Sequence, residues 1–124
     1  MPLIEIERVL PEGGDAAPPG LAQSLADAAG RVLGSAPGHT WVRLRALPAS
    51  AYAENDAVAL DAAVLPVFVT VLHAQPPQAE ALAVQVRALT EALALALGVQ
   101  AQRVHVQIAP PGAGRQAFGG TIVS

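Results

Sequence analysis

Hydrophobic positions along this chain keep two rhythms, and each rhythm occurs twice. Over residues 3–9, Ile4 and Ile6 alternate with Glu5 and Glu7, the period of two that marks a half-buried strand. After the turn-rich stretch PEGGDAAPPG, the residues Leu21, Leu25, Ala28, Ala29 and Val32 recur at helical spacing. They predict a helix over 21–33, stopped at Gly34, with Asp27 and Arg31 as an i,i+4 pair on its polar side. Residues 40–46 form the next predicted strand, with Trp41, Arg43 and Arg45 on one side and Val42 and Leu44 on the other. The order then starts again. A β-branched run over 67–72 is followed by an apolar helix over 78–97 ending at Gly98, and by a strand over 103–108.

A constant offset of 64 residues matches Pro2 with Pro66, Leu25 with Leu89, Leu33 with Leu97, Gly34 with Gly98 and Val42 with Val106. Strands, helices and stop signals are therefore expected to keep step without a gap, as in a duplicated βαβ unit. The expectation is one domain over residues 1–124, made of two βαβ repeats at about 2–60 and 65–124. Each strand-helix-strand passage favours a right-handed crossover between parallel strands. Two such units give an α+β fold, a four-stranded mixed sheet with both helices on one face. The other face is left bare and is expected to be partly apolar, which calls for a partner surface. A ferredoxin-like fold has the same order of elements. The near-equal halves favour the tandem arrangement.

Composition strengthens the case for association. Hydrophobic residues make up 52% of the 124, and mean hydropathy is +0.42, high for a small chain that must hide its apolar surface alone. The seven basic residues are all arginines, and they are scattered from Arg8 to Arg115 in a chain of net charge −3. They make no stripe for a phosphate backbone, so no nucleic-acid partner is expected. The absence of cysteine excludes disulfides and thiol nucleophiles. The start MPLIEIERV lacks the basic segment and long apolar core of a signal peptide, and no apolar stretch reaches 18 residues. A cytoplasmic protein without membrane contact is the expectation. His39, His73 and His105 have no ligand spacing, and Gly112–Gly114 and Gly119–Gly120 do not join a strand to a helix. No metal, nucleotide or other cofactor is expected.

The chemistry is concentrated at Pro2. Methionine before a small residue is normally removed, and a proline at a free N-terminus is a secondary amine that accepts a proton. An α-amino group ordinarily titrates at about 7.7–8.0, and an apolar enclosure disfavours its charged form. The result is a neutral base suited to removing a proton next to a carbonyl. Pro66 is internal and cannot act this way.

The MPLIEIERV start, the in-step βαβ units of about sixty residues and the glycine-rich segment in QRVHVQIAPPGAGRQAFGG resemble the tautomerase superfamily. The last stretch is similar to the end of oxalocrotonate tautomerase. Its RVHVQI portion is similar to a strand of macrophage migration inhibitory factor, with His105 and Gln107 at two positions that line the site there. The resemblance implies a homotrimer with bare sheet faces turned inward and sites between subunits, where both repeats contribute around Pro2.

The family pattern breaks at its substrate clamp. One arginine position falls on Glu12, with Pro76 as repeat mate, and the other on Trp41 and His105; the phenylalanine position falls on Tyr52 and Gln116. The same dicarboxylate substrate is therefore not expected, unless Arg8, Arg43 or Arg115 has taken over. The leading reading is a cofactor-independent keto–enol tautomerase or isomerase of a small 2-oxo or enol acid. Pro2 is the base, and Trp41, Arg43, His105, Gln107 and Arg115 are candidate substrate-binding residues. The alternatives are a Pro2-dependent hydratase, dehalogenase or decarboxylase of the same superfamily, or a non-catalytic trimeric assembly module. Tyr52 and Phe118 fit packing roles, and Glu54, Asn55 and Asp56 a solvated loop cluster.

Overall fold

Side-chain alternation gives the four longer strands a shared sheet with a packed face and an open face. The structure is a computed structural model and describes residues 2–14, 17–58 and 61–124. Strand β1 (Leu3–Leu10) leads to helix α1 (Leu21–Leu33) and strand β2 (Trp41–Pro48); strand β3 (Val67–Leu72) leads to helix α2 (Ala79–Leu97) and strand β4 (Val104–Ile108). The strands lie in the order β2-β1-β3-β4. The outer pairs β1/β2 and β3/β4 are parallel and the central pair β1/β3 is antiparallel, so the sheet is mixed as expected. A short hairpin, β5 (Ala117–Phe118) with β6 (Thr121–Ile122), closes the chain.

The core lies between the sheet and the helices. Ile4 and Ile6 of β1 and Val67, Val69 and Val71 of β3 pack with Leu25 and Ala29 of α1 and Leu89, Leu93 and Ala94 of α2. Each of the larger side chains among them is fully buried and contributes roughly 1.5–3 kcal/mol. Both helices end as their glycines predict, with Gly34 and Gly98 in the left-handed conformation that returns N–H groups to the last carbonyls. On α1 the expected Asp27–Arg31 pair is absent. Gln23 Nε2 instead donates to Asp27 Oδ1 at 2.8 Å, from one turn on the other side.

Three expectations need correction. The strand edges differ slightly: β2 runs on to Pro48, and residues 101–103 form a single 3₁₀ turn before β4. The glycine-rich end is not a plain loop, because Gly119 and Gly120, both at positive φ, make the two-residue turn of the β5–β6 hairpin. The repeat also slips. An offset of 64 holds for the helices and for β2 and β4, where Val42 and Val106 both lean to the packed side. Applied to β1 it would place Phe68 with Ile4, yet Val67, Val69 and Val71 are the buried residues of β3 and Phe68 is exposed. β3 is therefore one residue out of phase with the rest of its half. Burial decides the strand's facing, and the linking turns absorb the difference.

The open face is mixed, as expected: Trp41, Leu3 and Leu72 form an apolar row on it, and Phe68 lies exposed among polar neighbours. Register places Arg43, Glu5, Thr70 and Gln107 in one row and Arg45, Glu7, Phe68 and His105 in the next. Glu5 pairs with Arg43, and its other oxygen is 3.5 Å from Arg45. Val84 and Leu95 of α2 are exposed as well.

Candidate active site

Pro2 precedes β1, the second strand of the sheet, and its carbonyl accepts the N–H of Trp41 at 3.1 Å. Trp41 opens β2, and its indole Nε1 donates to Gly38 O at 2.9 Å. On the other side of Pro2 lies the end of β3. Leu3 pairs with Leu72, so the next antiparallel step sets Pro2 beside His73. The side chain of His73 lies on the helix side, where Nε2 is 3.2 Å from Gln85 Oε1 of α2. With that carboxamide oxygen accepting, the ring donates from Nε2. Partial burial holds the His73 pKa below its ordinary value, against the opposing hydrogen bond from Gln85.

The C-terminal segment crosses over this corner. Leaving β4, Ala109 N–H donates to Val71 O at 2.9 Å, Gly112 N–H to His73 O at 2.7 Å and Ala113 N–H to Ala74 O at 3.0 Å. Gln116 N–H then returns to Gly112 O at 2.8 Å. Two residues later the ring of Phe118 meets Trp41 with centroids 4.9 Å apart. Gly112 is thus bonded beyond the end of β3 and Phe118 meets β2, so the segment between them passes the start of β1.

Gln116 is only 8% exposed, and neither Nε2 nor Oε1 of its carboxamide has a hydrogen-bond partner. Its space depends on Gly112. A Cβ on that residue would stand 2.8 Å from Gln116 Oε1 and 3.2 Å from His73 O. In the sequence Gln116 stands only at a missing phenylalanine position, and His73 only as a histidine without ligand spacing. Strand register sets His73 beside Pro2, and Gln116 is tied to Gly112, which is bonded to His73.

Of the residues singled out from sequence, Pro2 and Trp41 are direct neighbours. Arg115 lies exposed in the crossing segment, next to Gln116. Arg43 is on the open face with Glu5. His105 and Gln107 are on the far edge strand of the same face, and the His105 ring lies 5.8 Å from that of Phe68. Gln107 is two strands over and three residues along from Pro2, on the order of 14 Å at ordinary strand spacings, and His105 is farther still. One subunit does not bring these two to Pro2.

A depression of about 460 Å³ lies beside Trp41, lined also by Arg31, Gly38 and Thr40. A more enclosed cavity of about 290 Å³ lies at the opposite end of the sheet, walled by Tyr52, Glu54, Val58 and Leu65. It neighbours Pro66, whose nitrogen is an amide and whose carbonyl accepts Val9 N–H at 3.0 Å. The better-formed cavity therefore lacks an amine base, and the Pro2 corner remains the candidate.

No protein-family model matches the sequence, and no curated protein matches it. Solved structures do. A wild-type fused 4-OT (Q0), a symmetric trimer, is similar with TM-score 0.72 and 19% identity, over 97% of this chain and 94% of that one. Macrophage migration inhibitory factor from Oncomelania hupensis is similar with TM-score 0.71 and 18% identity, over 100% of this chain and 83% of its own. FG41 malonate semialdehyde decarboxylase inhibited by 3-bromopropiolate gives 0.65 and 21%, over 94% and 90%. The chain has the fold of the tautomerase superfamily, which these proteins share. No helix among the described residues is long and apolar enough to cross a membrane.

Proposed function

We propose that this chain is a keto–enol tautomerase or isomerase of a small 2-oxo or enol acid, with the amine of Pro2 as general base. Met1 lies outside the described residues, and its removal is part of the proposal. The neutral amine takes a proton from the carbon next to the carbonyl, and the C–H electron pair moves to form the enolate. The resulting ammonium returns the proton to the other end of the conjugated system. No electron acceptor beyond the substrate's carbonyl is needed.

The observation that supports this reading is the position of Pro2, between Trp41 and His73 and beneath the crossing C-terminal segment. Trp41 and Phe118 put apolar rings at the end of the sheet where Pro2 lies, and an apolar surrounding favours the uncharged amine. The fold likeness adds a precedent, since the fused 4-OT with this fold is a trimer. A homotrimer is proposed here as well. It gives the open face and its paired charges a neighbour, and it allows His105 and Gln107 of one subunit to approach Pro2 of another.

The test is intact mass of the purified protein followed by ketonisation of phenylenolpyruvate. Processed protein that is active, with the activity lost in Pro2→Ala, supports the reading. Protein that keeps Met1 and has no activity ends it in favour of an assembly module.

A further inference from the structure

Helix α2 carries apolar side chains on two sides, and the sheet covers only one of them. Leu89, Leu93 and Ala94 are buried in the core. At helical spacing on the outer side stand Glu80, Val84, Arg87, Glu91 and Leu95, all exposed. Val84 is 61% exposed and Leu95 85%. One exposed leucine is ordinary, but this row has an internal order.

From Val84 to Leu95 the row reads apolar, positive, negative, apolar. Two copies of α2 can lie side by side in opposite directions, about a two-fold axis level with Leu89 and Thr90. Val84 of one copy then meets Leu95 of the other, and Arg87 meets Glu91. The symmetry repeats each contact, giving two apolar and two oppositely charged pairs. Glu80 falls level with Gly98, which has no side chain. A parallel, in-register pair would set Arg87 against Arg87 and Glu91 against Glu91, so the charges select the antiparallel one.

The charges are available for this role. Arg87 and Glu91 stand at i,i+4, yet neither takes part in the ion pairs formed among the described residues. Ala83 and Ala88 border the row and are small, which lets two helix axes approach to about 8–10 Å. Toward α1, Leu95 borders a depression of about 430 Å³ with Ala28, Val32, Ala92 and Ala96, which leaves room for the second copy's Val84.

We propose that the outer face of α2 is a contact between chains, its partner being α2 of a second copy, antiparallel across a two-fold axis. One helix pair is a small interface, so the association is a weak one. It uses neither Pro2 nor the open sheet face, and it is therefore tested apart from the function and the trimer proposed above.

The chain has no cysteine, which makes directed cross-linking clean. Positions 84 and 95 lie on the order of 16 Å apart along one helix, beyond the roughly 7 Å between Cα atoms that a disulfide tolerates. A Val84→Cys protein and a Leu95→Cys protein, mixed in equal amounts under mild oxidation, should give a covalent pair of unlike chains. Each protein alone should stay single. Both substituted residues are exposed, and unchanged melting temperatures check that the fold is kept. Adding Arg87→Glu to both proteins should slow the cross-linking about tenfold, and adding Glu91→Arg as well should restore it.

A mixture that yields no unlike pair overturns the proposal. So does either protein cross-linking to itself as fast as the mixture does, which marks a parallel or random encounter. A rate indifferent to Arg87→Glu, or one that Glu91→Arg fails to restore, overturns it too.

Discussion

Trp41 and Phe118 meet edge to face, their ring planes at 81°, and this contact fastens the C-terminal hairpin to the edge strand across the start of β1. The geometry is the favourable one for aromatic pairs and is worth about 0.5–1.5 kcal/mol beyond the area it buries. Phe118→Ala should therefore melt at lower temperature and shift the emission of Trp41 to the red. Turnover should fall more than stability, because the hairpin no longer closes the corner. Unchanged emission would show that the hairpin is held by other means.

Gly112 offers a second handle on the same corner. Its φ is not in the left-handed region, so alanine is excluded only by space, through the contacts of an added Cβ with Gln116 Oε1 and His73 O. Gly112→Ala should cost about 1–3 kcal/mol of stability from overpacking. It should also lower kcat/KM by displacing the segment that passes the start of β1. Chemical denaturation and steady-state kinetics measured together separate the two effects.

Histidine 73 makes stability depend on pH. Burial lowers its folded pKa beneath the ordinary 6.5, so below that value the unfolded chain binds more protons than the folded one. Its contribution is fully present above pH 6.5 and is lost as the pH falls toward the folded value. Denaturation midpoints measured across this window should drop in wild-type protein and drop less in His73→Asn. NMR titration of the imidazole gives the folded value directly.

Tyr52 is the only tyrosine, which makes its phenol readable by ultraviolet titration. Its hydroxyl donates to Glu54 Oε2 at 2.6 Å, and this hydrogen bond pushes the phenol above its usual 10.0. In Glu54→Gln the ionisation should move back toward the ordinary value. No change would mean that the two side chains are apart in solution.

The open face predicts a separation of folding from assembly. Glu5 with Arg43 and Arg45 is a half-exposed cluster, and such pairs contribute about 0–1 kcal/mol to a single chain. Glu5→Gln should hardly move the denaturation midpoint at low protein concentration, yet it leaves two arginines facing any neighbouring subunit. Sedimentation velocity should find the proposed trimer dissociating at higher concentration than in wild-type protein.

Much of the architecture was legible because Ile4 and Ile6, or Leu89 and Leu93, repeat at the period of the element they build. Pro2 is the candidate base for a chemical reason, since proline is basic only at a free N-terminus, and that role stands as the proposal made above. The open face is partly apolar, as its alternation predicts: Leu3, Leu72 and Phe68 share it with Glu5, Arg43, Thr70 and Gln107. Their side of the strand was readable, but cross-strand register that gathers them into a row is not local information. Gln116 and His73 were missed for a related reason. Each stands outside a regular strand or helix, where no period assigns a face, and only hydrogen bonds between residues some forty positions apart in sequence bring them together.

The slip of β3 against the rest of its half limits how the chain can be rearranged. A strand that pairs in antiparallel fashion with a copy of itself must match residues of like facing. A β3 kept at the 64-residue spacing would set Ile4 against an outward side chain. Two fragments cut between Asp61 and Val64 should accordingly recombine as a heterodimer of unlike pieces. Neither half is a faithful spare of the other, and the two share an outline without being interchangeable.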